Sequence, residues 1–311
     1  MKLHQLRYLC EISRQGLSFS NAAAALNTSQ PGISKQIRLL EEELGVDLFI
    51  RNGNRIIEMT EPAQRIVAIA SLMLRQVEDI KAVAGEFKEG SSGQLNIAAT
   101  FTFARYILPD ALRRFVARHP GVKVNLLQDS PAQASRLASS GEADIAMTTR
   151  PAEDFPDLLF LEYCKLPRVL LVPRSHALLK EKHITLRAIS SHPLITLDVG
   201  SHGQMQMREL FARSNLEPNI VFAGVDVDVV KAFVEAGLGI AVLPKLAFET
   251  RRDSKLRALD VSHLFQSHVG CLAIRKNHYL RGFAFDFIEM LAQNLDRRTV
   301  EKAIATARAI D

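Results

Sequence analysis

Apolar positions in the first sixty residues fall into three short blocks with three- and four-residue steps. Leu6, Leu9, Cys10 and Ser13 mark the first over residues 3–14, and Gly16 closes it. The second starts at Ser18, a good helix N-cap, and runs through residues 22–26, where small alanines let a neighbouring helix come close. After the break Asn27-Thr28-Ser29 a third helix begins, with Ser29 as cap and Pro31 in the first turn, where no backbone N–H is required. Ile33, Ile37, Leu40 and Leu44 form its buried stripe. Residues 48–57 then read as strand, Asn52-Gly53 turn and strand, because Asn-Gly tolerates the positive φ angles of a tight hairpin. Two helices joined by a short turn, followed by a hairpin, predict a winged helix-turn-helix over residues 1–60.

From residue 61 to 88 the pattern predicts one long helix, with Glu89-Gly90-Ser91-Ser92-Gly93 as the loop after it. Ala63, Ile66, Ala70, Met73, Val77, Ile80, Ala84 and Phe87 alternate at steps of three and four, the period of a coiled-coil seam. The expectation is a dimerising linker over residues 61–92, its helix about 40 Å long at 1.5 Å per residue. Residues 93–311 alternate strand-like and helical runs. Strands are expected at 95–100, 122–127, 144–148, 168–173, 193–196, 219–223, 239–244 and 269–275. Helices are expected at 106–119, 132–140, 204–214, 226–236 and 283–293. This alternation predicts α/β architecture with mainly parallel sheets and ligands beyond the carboxyl ends of the strands. Two subdomains are expected, 93–163 with 267–295, and 164–266.

The 311 residues carry 39 Lys+Arg against 34 Asp+Glu, a net charge of +5. A hydrophobic content of 47% is that of a globular chain and excludes a disordered or collagenous one. The first sixty residues hold seven basic and six acidic side chains, so any case for nucleic acid rests on placement rather than on charge. The N-terminus lacks the basic-then-apolar layout of a signal peptide, and the longest apolar stretch, 66–74, is far short of the roughly 20 residues that span a bilayer. Cys10, Cys164 and Cys271 are distant and odd in number, which argues against a disulfide framework or thiolate metal site. A cytoplasmic protein with no metal, cofactor or membrane partner is expected.

On the third helix Gln30, Ser34 and Arg38 recur every four residues, with Lys35 beside them. Gln and Arg can hydrogen-bond base edges in a major groove, while Ser and Lys reach bases or phosphates. With Ser29 and Pro31 at the helix start, and Arg51 and Arg55 flanking the hairpin turn, these are the candidate DNA-binding residues. Thr100, Thr102, Thr148 and Thr149 stand at strand ends, and Ser201 and His202 lead into a helix, all suited to a small anion or carboxylate. There is no G-x-S-x-G elbow, Walker loop or H-E-x-x-H helix, so no catalytic residue is assigned. A solute-binding protein and an enzyme using the α/β cleft are the competing classes.

The runs Ala22-Ala23-Ala24-Ala25-Leu26, Pro31-Gly32-Ile33-Ser34-Lys35-Gln36-Ile37, Leu40-Glu41-Glu42-Glu43-Leu44-Gly45 and Leu48-Phe49-Ile50-Arg51 resemble the LysR-type transcriptional regulators. The stretch Thr100-Phe101-Thr102-Phe103-Ala104-Arg105-Tyr106-Ile107-Leu108-Pro109 resembles the CysB/Cbl branch, regulators of sulfur assimilation. The resemblance implies a winged helix-turn-helix, a linker helix and a two-subdomain α/β effector module like the type 2 periplasmic binding proteins. It also implies a homodimer or homotetramer on an imperfect palindrome in double-stranded promoter DNA, with RNA polymerase as a further partner and no enzymatic activity. The implied effector is a small anion: sulfate, an acetylserine-type molecule or an organosulfur compound. Thr100, Thr102 and Thr149 match the branch's effector-holding hydroxyls. Phe103 stands where the branch usually has glutamine, and His202 where it has threonine. Loss of an amide and gain of a larger, titratable ring point to a different sulfur-containing or aromatic organic anion. Within the family the alternative is a regulator of an unrelated catabolic pathway.

Overall fold

The computed structural model describes residues 1–52, 55–89, 92–197 and 202–310, without the side chains of residues 52, 55, 86–89, 202 and 310. Gly53, Gly90, Ser91 and Ser201, which figured in the expected turn, loop and anion site, lie outside the described residues, as do the side chains of Arg55, Phe87 and His202. The chain divides into two compact units, Met1–Gly85 and Glu86–Asp311.

In the first unit, α1 (Leu3–Arg14), α2 (Phe19–Ala25) and α3 (Gln30–Leu44) surround a core that includes Leu6, Leu9, Ile12, Ile33, Ile37 and Leu40. The serine caps set where α2 and α3 begin. Ser18 Oγ accepts from Asn21 N at 3.2 Å, and Ser29 Oγ accepts from Gly32 N at 3.2 Å. A Cβ at residue 32 would lie 2.9 Å from Ser29 Oγ, so glycine there keeps the capping geometry open. Gly45, in the left-handed region at φ 68°, ends α3. The Ser29→Ala variant is expected to lose about 1 kcal/mol of stability, read from urea unfolding followed by circular dichroism. Strands β1 (Phe49–Asn52) and β2 (Arg55–Met59) pair antiparallel as the hairpin.

The long helix α4 (Glu61–Glu89) corrects the expected seam at its early positions. Ala63 and Ala70 are buried, with Ile66 and Val67 packed beside them, in the core of their own unit, and Cys10 Sγ lies 3.5 Å from Ser71 Oγ. Ile80 is 68% exposed and Met73 41%. An α-helix turns every 3.6 residues, so positions spaced by 3.5 drift around its surface. The early seam positions therefore meet α1–α3, while Met73 and Ile80 share an exposed edge with Ile69 and Leu72.

The second unit contains two five-stranded sheets. The chain builds β3 (Gly93–Ala99), α5 (Phe101–Tyr106), α6 (Leu108–Arg118), β4 (Val122–Gln128), α7 (Pro131–Ser140), β5 (Ile145–Thr149) and β6 (Leu158–Leu166). It then enters β7 (Arg168–Pro173), α8 (Leu186–Ser190), β8 (Leu194–Leu197), α9 (His202–Arg213), β9 (Ile220–Gly224), α10 (Val227–Glu235), β10 (Ile240–Pro244) and β11 (Leu256–Asp260). It returns through β12 (His268–Arg275) to α11 (Gly282–Leu291) and α12 (Arg297–Ile310). Strand orders are β4-β3-β5-β12-β6 and β11-β7-β10-β8-β9.

Both sheets are mixed, which corrects the expectation of mainly parallel pairing. In the first, β3 pairs parallel with β4 and β5, but β12 runs antiparallel to β5 and β6. In the second, β8 pairs parallel with β9 and β10, but β7 runs antiparallel to β10 and β11. The helix expected at 106–119 is α6, beginning at Leu108, and α5 just before it was not anticipated. Strands β6 and β11 and helices α8 and α12 were not anticipated. Val300 and Ile304, one turn apart on α12, are buried in the core under the first sheet.

Candidate functional site

A cavity of about 380 Å³ draws its lining from both sheets of the second unit. Thr100 and Thr102 come from the turn after β3 and the start of α5, and Thr149 from the end of β5. Thr100 caps α5 by position, but its hydroxyl makes no capping bond. Neither it nor the hydroxyls of Thr102 and Thr149 bonds to another described residue, so all three stand available to a ligand. Phe103 also lines the cavity, although its ring is only 1% exposed and packs toward Tyr163 with centroids 5.9 Å apart. Thr148 is a correction. Strand alternation turns its side chain to the other face of β5, where it is fully buried and its Oγ1 donates to Thr149 O at 2.8 Å.

Two residues that sequence reasoning missed complete the rim. Arg168 opens β7 and His268 opens β12, both beside the cavity. Arg168 Nη2 donates to Val242 O at 3.3 Å, and its Nη1 lies 3.3 Å from His268 Nε2. Arginine can only donate, so His268 accepts in that contact. The guanidinium also sits 5.5 Å from the Phe265 ring centroid. Burial holds the Arg168 pKa down at about 10. A Cβ on Gly203 would come within 2.7 Å of His268 Cε1, so the missing side chain lets the first turn of α9 approach that ring. Gln204 donates to Thr196 Oγ1 at 3.3 Å on the same wall. Near Ser130, Arg136 holds Glu153 through two contacts of 2.5 and 2.7 Å.

In the first unit, Ser29, Gln30, Pro31, Lys35 and Arg38 are exposed and Ser34 is half-buried. Gln30 Nε2 donates to Ser34 Oγ at 3.0 Å, which fixes two of the candidate base-reading groups relative to one another. Neither Lys35 nor Arg38 bonds through its charged end to a described residue. Arg51 differs, because its Nη2 lies 3.5 Å from Glu41 Oε2. The same carboxylate accepts from Leu48 N through Oε1 at 2.9 Å, tying the hairpin to the later part of α3.

The family model described as LysR substrate binding domain matches residues 88–296, and that of the bacterial regulatory helix-turn-helix protein, lysR family, matches residues 3–64. The chain belongs to the LysR family. It is 40% identical over 304 residues to the HTH-type transcriptional regulator CysB of Burkholderia cenocepacia, covering 98% of this chain and 97% of the relative. Identity to SsuR of the same organism is 37%, over 96% of this chain and 97% of the relative. The cofactor-binding domain of the Cbl transcriptional regulator superposes with a TM-score of 0.65 at 32% identity, covering 69% of this chain and 94% of that one. Full-length CbnR in complex with its target DNA shares the fold, with a TM-score of 0.63 at 21% identity over 96% of this chain and 100% of that one.

This LysR protein is therefore a DNA-binding transcriptional regulator with a two-subdomain α/β effector-binding domain. Among its described residues no helix is long and apolar enough to cross a membrane. Its three cysteines are free thiols. Burial raises the pKa of each, that of Cys271 to about 11, which keeps them protonated near neutrality and poor nucleophiles.

Proposed function

We propose that this regulator governs sulfur or organosulfur assimilation genes and is controlled by a small anion bound in the cavity of the second unit. The observation that carries the proposal is the set of three threonine hydroxyls, Thr100, Thr102 and Thr149, that face the cavity without a partner among the described residues. The similarity to CysB, SsuR and Cbl supports the sulfur assignment. In this reading Ser29, Gln30, Pro31, Ser34, Lys35 and Arg38 face the major groove, and Arg51 and Arg55 reach the backbone or minor groove. Copies paired through α4 place two winged modules on the half-sites of a palindrome, and two such dimers form the tetramer that meets RNA polymerase. The effector acts by binding one conformation better than another, which changes the bend imposed on the promoter. Footprinting and bend measurements with sulfate, O-acetylserine and an alkanesulfonate test the proposal. At least one ligand is expected to change the protected region or the bend angle. Identical footprints and angles with every ligand would remove the switch.

A further inference from the structure

We propose that Arg168 is the charge anchor of the cavity and that the natural occupant is a monovalent organic anion with an apolar body. This rests on the anionic-effector reading above and adds the anchoring residue and the ligand class. Arg168 spends two of its five N–H donors, on His268 and on Val242 O, which leaves three without an acceptor among the described residues. It forms no ion pair with any described carboxylate. Burial of a cation without a counter-ion is unfavourable, and the lowered pKa records that penalty. An oxyanion on the open side of the guanidinium relieves it through charge-assisted hydrogen bonds.

The charge count gives the valence. Among the described lining residues, Arg136, Arg150 and Arg168 stand against Asp129 and Glu153, leaving one positive charge in excess. Arg136 is already committed to Glu153, so a single negative charge is what the described lining lacks.

Apolar lining gives the body. Phe103, Leu166, Ile195, Met207 and Val242 also face the cavity. A volume of about 380 Å³ holds roughly a dozen waters at about 30 Å³ each, far more than a free tetrahedral oxyanion fills. An inorganic ion would leave the apolar wall wet, whereas each methylene buried against it adds about fourfold in affinity.

Calorimetry on the full chain tests both halves, with sodium sulfate, ethane-, butane- and hexanesulfonate, hexanoate and 1-hexanol as probes. Affinity is expected to rise about fourfold per methylene along the sulfonates, with hexanol at least roughly tenfold weaker than hexanesulfonate. A preference for the sulfonate or the carboxylate head identifies the oxyanion and supports the anchor in either case. Arg168→Gln is expected to weaken hexanesulfonate roughly 10- to 100-fold and to erase its advantage over hexanol. Arg168→Lys, which keeps the charge but loses the planar fork, is expected to fall between. Circular dichroism establishes that each variant is folded; should Arg168→Gln fail to fold, the probe series on the unmodified chain and Arg168→Lys decide. Sulfate binding as tightly as hexanesulfonate would overturn the apolar body and leave the anionic-effector reading standing. Full hexanesulfonate affinity in Arg168→Gln would overturn the anchor alone. Hexanol matching hexanesulfonate, or no anion binding at all, would overturn the inference together with the reading beneath it.

Discussion

Replacing Lys231 with alanine is expected to destabilise the Glu86–Asp311 unit by about 3–5 kcal/mol, a large share of an ordinary domain's stability. Lys231 is 8% exposed, and its Nζ lies 2.7 Å from Asp253 Oδ1 and 3.4 Å from Asp228 Oδ1. It also donates to Ala247 O at 2.9 Å and to the Tyr106 hydroxyl at 3.3 Å. Tyr106 in turn donates to Asp228 Oδ1 at 2.8 Å, and Arg105 Nε stands 2.6 Å from Asp228 Oδ2. Removal of the ammonium leaves Asp253, itself 5% exposed, as a buried charge with no cation beside it among the described residues. Burial by itself lowers the Lys231 pKa, but its bonds to Asp253 and Tyr106 outweigh that, and the net shift is upward. A folded-state pKa above the unfolded one gives stability that is complete below the usual lysine value and is lost as pH climbs through the raised one. The loss in Lys231→Ala should therefore be undiminished across neutral pH. Urea unfolding followed by circular dichroism reads it, and a change under about 1 kcal/mol would contradict the assigned pairing. The double variant Lys231→Met with Asp253→Leu is expected to recover much of the loss, because neither charge is then left buried alone.

This cluster also matters to the cavity. Helix α5 carries Thr102 and Phe103 at the cavity and Arg105 and Tyr106 at the cluster, and Tyr106 packs into the core beneath the second sheet. One short helix therefore links the hydroxyls of the first lobe to an ion-pair network in the second, and loosening the network should disturb the cavity as well.

Local chemistry made much of this legible. Ser18 and Ser29 cap where cap residues predict, and two strands pair antiparallel where the hairpin was expected. Thr100 and Thr149 reach the cavity because they end parallel strands, the geometry that alternation of strands and helices implies. Arg168 and His268 were invisible for the complementary reason. They begin β7 and β12, and an antiparallel strand brings its amino end to the rim where its neighbours bring their carboxyl ends. Arg168 is opposite Pro244 and His268 opposite Leu166, pairings set by tertiary register that no local pattern encodes. The early part of the helix seam misled for a related reason, since the three-four alternation does not say whether a position meets its own chain or another copy. Ala63 and Ala70 do the first.

On the proposed groove face, Arg38→Ala is expected to weaken binding to the cognate promoter by about 1–3 kcal/mol, roughly 5- to 160-fold, while leaving unfolding unchanged. The side chain is exposed and bonds to no described residue, so its removal takes nothing from the core built by Ile33, Ile37 and Leu40. Position decides what it can do. Glu41, Glu42 and Glu43 follow within about one turn and repel a polyanion, so in the proposed reading the duplex lies against the earlier turns holding Gln30, Ser34 and Arg38. Lys35 is the internal comparison. If it meets phosphate, Lys35→Ala weakens cognate and unrelated duplexes alike and lowers the salt slope by about one, whereas loss of Arg38 narrows the gap between them. Gel shifts across a salt series on both duplexes separate these outcomes. Equal weakening of both duplexes by Arg38→Ala would make it a backbone contact, and unchanged affinity would move the recognition face elsewhere on α3. Arg51 should matter less than its charge implies, because its ion pair with Glu41 must be exchanged before it can hold a phosphate.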